Sequence, residues 1–376
     1  MAYRAEITVI GAGVLGLAIA ARLAAEGREV YVLEKNETFG LETSSRNSGV
    51  IHAGMYYPPG SLKARLCVAG NRMLYDLCGS YDIPHRRTGK LVVAATEEET
   101  GELERLVARG HDNGVDDLTM LSRREMKALE PNVEGAAALL SPSSGVVDPH
   151  ALMRYFVTRV QGEGGRIAYR NQVVGVEKRS DGYQLMVRDN SGNFSFVSRV
   201  VVNCAGLRCD GVAEMAGIDV LMAGYKLHYC KGEYFSVRGG AGKRVGMLIY
   251  PVPPPRLVSA GTHATVRLEG GMSLGPNAQY VEAIDYSVDV NHKRLFYDSV
   301  RAFLPFLHCD DLEPEMAGIR PKLQKPGEDI KDFVMRDEAD RGLPGFINLI
   351  GIESPGLTAA PATAEHVWKL VEERYV

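Results

Sequence analysis

Paired cysteines, net charge and uninterrupted apolar runs are all scarce in this sequence. The six cysteines, Cys67, Cys78, Cys204, Cys209, Cys230 and Cys309, include no CxxC and no spacing suited to a metal. That argues against a disulfide framework or a zinc site and reads as scattered, reduced thiols. Lys and Arg total 43 against 47 Asp and Glu, a formal net charge of -4. So small an imbalance gives no reason to expect nucleic acid or a strongly anionic membrane as partner. No run is apolar for long enough to span a bilayer. The nearest, ITVIGAGVLGLAIAARLAA, is broken by glycines, follows Glu6 and lacks a basic leader, so it does not read as a targeting signal. Internal repeats and low-complexity linkers are missing too, and PVPPPR at 251–256 is expected as a turn. What remains is a cytoplasmic protein, touching a membrane at most peripherally. Its 376 residues suit one large domain or two interleaved ones.

What is present begins with the first forty residues. A β-rich run at 7–10, helical spacing over 15–25 closed by Gly27, and a second β-rich run at 30–33 spell a βαβ unit. Gly11, Gly13 and Gly16 fall at its first turn as GxGxxG. Such glycines make the tight turn, let backbone approach a pyrophosphate and let helix and strand pack closely. The phosphate then sits on free helix N–H groups. Glu34 ends the second strand, where an acid holds ribose hydroxyls. This is a Rossmann-like dinucleotide site, and the turn alone leaves NAD and FAD both open.

Further along, a valine-rich strand at 200–202 ends in NCAG, and a strand at 346–350 leads through a Gly/Pro turn into a helix. Both return to the nucleotide sheet from far along the chain. The stretch ETSSRNSGVIHAGMYY at 42–57 gathers small polar residues around His52, as suits backbone pressed against a ligand.

On these motifs the sequence resembles the D-amino-acid-oxidase-type FAD-dependent oxidoreductases. SSRNSGVIHAGMYYPPGSLKARLCVAGN, KGEYF, LIYPVPPPR and SLGPNA look like the L-2-hydroxyglutarate dehydrogenase branch of that group. The resemblance implies FAD as cofactor. Gly11, Gly13, Gly16 and Glu34 match its pyrophosphate and ribose positions, Ser44, Ser45 and Asn47 the loop beside the flavin, and Val174 a backbone contact to adenine. Ala205 and Gly206 match a second cofactor turn, and Gly356, Leu357 and Thr358 the turn near the flavin ring. Arg320, in AGIRP, matches the arginine that anchors a substrate carboxylate.

The fold class is then α/β: a Rossmann-like FAD-binding domain assembled from 1–76, 146–219 and 316–376, plus a mostly antiparallel substrate domain from 77–145 and 220–315. The acidic helix near 97–114 is expected to be a solvated face. Oxidising a hydroxy acid requires a group that takes the hydroxyl proton near neutral pH, which favours histidine. His52 and His263 are rival bases, and for His52 a substrate contact and, as the resemblance implies, a covalent bond to the flavin are open as well. Tyr250 is placed to hydrogen-bond a substrate oxygen. Tyr56, Tyr57, Lys63 and Arg65 are polar neighbours without an assigned role, and His111 and His228 read as surface or structural residues. The leading expectation is an FAD-dependent dehydrogenase of a small 2-hydroxy acid, L-2-hydroxyglutarate first. Glycerol-3-phosphate dehydrogenase, amino-acid oxidase and a flavin-binding subunit without turnover are the alternatives. Oxygen, a quinone and a soluble carrier remain open as electron acceptor.

Overall fold

The computed structural model of the chain describes residues 3–253 and 261–376, so positions 254–256 of the expected turn lie outside the described residues. Two large sheets share the chain. In the first, of eight strands, Arg4–Ile10 runs parallel to Val30–Leu33 on one side and to the second half of Gly192–Asn203 on the other. Arg166–Ala168 and Leu343–Ile350 extend the two flanks, also in parallel. The first half of Gly192–Asn203 turns away into an antiparallel meander with Gly182–Asp189 and Gln172–Arg179, and Val334–Glu338 closes the far edge.

The parallel strands are buried on both faces, as their near-continuous β-branched runs require. Ile7, Val9, Val30, Val32, Val200, Val202, Ile347 and Leu349 pack under the helices Val14–Ala25, Pro149–Gly162 and Gly356–Tyr375. Ile10, Leu33, Val201, Phe346 and Ile350 point the other way, onto Leu185, Val187 and Val212. The helix Val14–Ala25 is built largely of Gly, Ala and Leu and is buried nearly all round, which lets it lie close to the sheet.

The second sheet has nine strands and is antiparallel except where Lys90–Ala94 runs parallel to Leu248–Pro251. The helices Thr100–Asp112 and Lys293–Val300 cover it through Leu103, Leu106, Phe296 and Val300. Thr100–Asp112 exposes its charged side, as an amphipathic surface helix does. The class is therefore mixed α/β with a mostly antiparallel second sheet.

Three expected boundaries fall inside elements. That at 315/316 cuts the strand Leu312–Lys322, which pairs with His228–Val237 from Val237↔Leu312 to His228↔Lys322 around a register shift that leaves out Glu315. Those at 76/77 and 145/146 cut the helix Leu62–Ser80 and the strand Gly145–Val147. The secondary structure continues past each of these points, at 315/316 through a one-residue irregularity at Glu315, so composition did not mark them. Arg320 consequently sits on a strand of the second sheet.

A small third sheet, Val50–Ile51 with Gly145–Val147 and His85–Arg86, lies between the two. It delivers His52 directly from its first strand. Among the described residues no helix is long and apolar enough to cross a membrane.

Candidate cofactor and substrate site

Both large sheets line one cavity of about 600 Å³, which extends from the Gly11 turn to Arg320 and His263. Its nucleotide end is mostly backbone. Gly11 adopts φ 105°, and a Cβ there would lie 2.5 Å from the carbonyl oxygen of Cys204, so only glycine suits the turn. Gly13 caps the helix Val14–Ala25, and the Val14 amide donates to Ser44 Oγ at 2.9 Å. Glu34 is buried, with one carboxylate oxygen accepting from the Ala12 amide at 2.8 Å and the other from the Asn36 amide at 2.8 Å. Those bonds fix the carboxylate at the cavity wall beside the glycine turn. Ala205 and Gly206 close the opposite side.

The other end is built of side chains from widely separated segments. His52 follows Val50–Ile51, and its backbone is held from three directions. Its amide donates to Thr358 Oγ1 at 3.0 Å, and its carbonyl accepts from Asn71 Nδ2 at 2.9 Å and from Cys67 Sγ at 3.5 Å. Its Nε2 lies 3.3 Å from Ser354 Oγ. His263 comes from the strand His263–Val266 and stacks on the Tyr250 ring, 3.8 Å between centroids at 14°. Its Nδ1 lies 2.9 Å from the Gly261 carbonyl. That bond puts the proton on Nδ1 and leaves Nε2 as a bare acceptor. Burial holds both imidazoles neutral, helped by the Lys90 charge. His52 lies well below the ordinary histidine value and His263 falls to about 3.

The Arg320 guanidinium donates to the Asn277 carbonyl at 3.0 Å, and among the described residues it has no carboxylate partner. A Cβ on Gly232 would sit 2.9 Å from its Nη2, so that glycine makes room for it. Next to it, the Glu353 carboxylate is shared by two buried lysines, Lys322 Nζ at 2.7 Å and Lys63 Nζ at 3.0 Å. Burial pushes Glu353 up, but the two ammonium groups outweigh it and bring it to about 2.

Four buried polar atoms here have no hydrogen-bond partner among the described residues: Nδ1 of His52, Nε2 of His263 and the hydroxyls of Tyr56 and Tyr250. Leaving one such atom unpaired costs about 1–3 kcal/mol. Several around one end of a cavity are a docking place for a polar ligand.

Of the residues singled out in the sequence, Gly11, Gly13, Gly16, Glu34, Ser44, Asn47, His52, Ala205, Gly206, Tyr250, His263, Arg320, Gly356 and Leu357 line this cavity together. Three do not. Ser45 turns its hydroxyl back to the Glu42 carbonyl. Val174 is the extra residue of a β-bulge between Val173 and Gly175, which leaves Val173 at the wall. Thr358 spends its hydroxyl on the His52 amide and the Val50 carbonyl, so it positions the strand that carries His52. Sequence reasoning passed over Lys322 and Glu353, both at the wall, and Asn277, which holds Arg320. Lys322 was detectable, since it stands two residues after Arg320 on one strand and shares its face.

A family model described as FAD dependent oxidoreductase (DAO) matches residues 6–370. The chain belongs to that family. It is an oxidoreductase with FAD as cofactor, and the glycine turn, the helix N-terminus and Glu34 fit a dinucleotide lying against them. Among curated relatives, the mitochondrial L-2-hydroxyglutarate dehydrogenase of Arabidopsis thaliana is 38% identical, over 97% of this chain and 83% of its own length. The Mus musculus enzyme of the same name is 30% identical over 97% of this chain and 88% of its own. Among solved structures, dithionite-reduced L-alpha-glycerophosphate oxidase from Mycoplasma pneumoniae with FAD bound superposes with a TM-score of 0.86. It is 26% identical and covers 98% of this chain and 95% of that one.

Proposed function

We propose that the protein oxidises L-2-hydroxyglutarate to 2-oxoglutarate, with the nucleotide-side strands holding FAD and the nine-stranded sheet covering the substrate. The observation that carries the reading is that Arg320, with no carboxylate partner among the described residues, and His263, whose Nε2 has no hydrogen-bond partner among them, line the same cavity. It is supported by near full-length similarity to enzymes named for that reaction.

Arg320 takes a substrate carboxylate through charge-assisted hydrogen bonds. His263 Nε2 accepts the hydroxyl proton, and the O–H electrons become the second bond of the carbonyl. The C–H bond breaks with its electron pair, leaving as hydride, and FAD when bound supplies the two-electron acceptor. Tyr56, Tyr250 and His52 offer hydrogen bonds to substrate oxygens, and the aromatic wall keeps water out. The triad Lys322–Glu353–Lys63 carries one net positive charge beside Arg320, which suits a substrate with a second carboxylate.

A second reading, a glycerol phosphate substrate, draws on the likeness to the Mycoplasma enzyme. Anaerobic addition of each compound to the FAD-loaded protein separates the two. Bleaching by L-2-hydroxyglutarate alone supports the first, and bleaching by glycerol 3-phosphate alone replaces it.

A further inference from the structure

Lys90 lies behind the cavity wall and touches neither substrate nor cofactor positions. It lies at the start of Lys90–Ala94, opposite Ser141 and Leu248 in the neighbouring strands. Its side chain is wholly buried, and Nζ has no hydrogen-bond partner among the described residues. The ammonium position lies 4.0 Å from the Tyr250 ring centroid and 5.2 Å from that of Tyr56. His263 is stacked on the same Tyr250 ring at 3.8 Å. One ring face cannot hold both at such distances, so Tyr250 is sandwiched between the imidazole and the lysine.

Titratable or charged groups face this stack from several elements. Tyr56 and His52 come from the segment after Val50–Ile51, and Cys67 from the helix Leu62–Ser80. Tyr250 and His263 come from the second sheet, as does Arg320 from Leu312–Lys322. No carboxylate pairs with Lys90 among the described residues, and a buried lysine without one is costly to keep charged. Burial brings Lys90 down to about 7, whereas a surface lysine lies near 10.5.

We propose that Lys90 is a positioning residue that gates the histidine base through the Tyr250 ring. When Lys90 carries a proton, an imidazolium on the other face of Tyr250 is a second unscreened cation in a dry stack, and proton transfer from substrate is opposed. When Lys90 is neutral, the stack accepts that one proton at His263 Nε2. The residue thus sets the pH at which the site works without touching substrate. The inference rests on the proposed hydroxy-acid oxidation.

Two measurements test it. In FAD-loaded protein with ¹³Cε-labelled lysine, one lysine signal should titrate with a midpoint near 7 and be missing from Lys90→Met. This readout needs no substrate. In anaerobic stopped flow with L-2-hydroxyglutarate, the wild-type flavin-reduction rate should fall as pH drops below about 7. Lys90→Met, close in volume but unable to hold a proton, should keep roughly ten-fold more of its own plateau rate at about pH 6. Superimposable normalised profiles overturn the proposal. So does the absence of any wild-type lysine midpoint between about pH 6 and pH 8, which decides the matter even if the variant fails to fold. A wild-type flavin that no pH allows L-2-hydroxyglutarate to reduce removes the substrate reading instead, and the lysine titration still reports on Lys90.

Discussion

The two ends of the cavity are made of different material. At the nucleotide end the wall is backbone: a glycine in the left-handed region, a helix N-terminus, and a single carboxylate held by the Ala12 amide of the glycine turn and by the Asn36 amide. At the substrate end the wall is side chains from many separate stretches of sequence, several with a polar atom that has no partner among the described residues. The first end offers backbone amides of a helix N-terminus and recognises chiefly by shape. The second carries unmet hydrogen-bonding capacity and recognises by completing it. Binding at the first end is therefore tolerant of side-chain chemistry and intolerant of volume, and the second end has the opposite sensitivity.

Substitutions can break this contrast, and the largest effect falls on volume at the nucleotide end. Gly11→Val places a side chain at φ 105° against the Cys204 carbonyl. FAD retention, read as the ratio of flavin to protein absorbance, should drop by about 100-fold or more. At the substrate end, His263→Asn should leave FAD content unchanged and lower the anaerobic reduction rate by about 10²–10⁴-fold, with a smaller loss for His52→Asn. The reverse order would transfer the base to His52. Arg320→Met should raise the apparent dissociation constant for L-2-hydroxyglutarate by roughly 100-fold, again with normal flavin content. Glu353→Gln strands two buried ammonium groups, so melting should show a loss of ~3–5 kcal/mol. Smallest is Val174→Ala, which should cost under ~1 kcal/mol and leave FAD retention intact, because the bulge keeps that residue off the wall.

Acid sharpens the same contrast through stability. The His263 imidazole titrates at about 3 when folded, below its ordinary 6.5, so the unfolded chain takes the proton first. Its contribution is complete above about 6.5 and is lost as pH falls toward about 3. His263→Asn should flatten that part of a melting-temperature profile.

The difference between the ends also explains what could be read in advance. Gly11, Gly13, Gly16 and Glu34 belong to one local βαβ unit, where spacing, strand and helix all report on the same turn. Val174 lies off the cavity wall because a one-residue bulge leaves Val173 there, and no local signal counts residues across a strand pair. At the other end, Lys90 and Lys63 look like surface charges in a sequence, and only tertiary packing shows them buried to 0% and 1% exposure. Glu353 acquires its meaning from Lys63, 290 residues away. Partnerships across such separations leave no periodicity to detect, which hides Asn277, whereas Lys322 could be placed beside Arg320 by strand alternation alone.

The most direct test of the account is the visible spectrum of the FAD-loaded protein, recorded without oxygen before and after adding each enantiomer of 2-hydroxyglutarate. The arrangement of Arg320 and His263 around one bound hydroxy acid predicts flavin bleaching by the L form and none by the D form. A flavin that stays oxidised with L-2-hydroxyglutarate, in protein whose FAD content is normal, would contradict it.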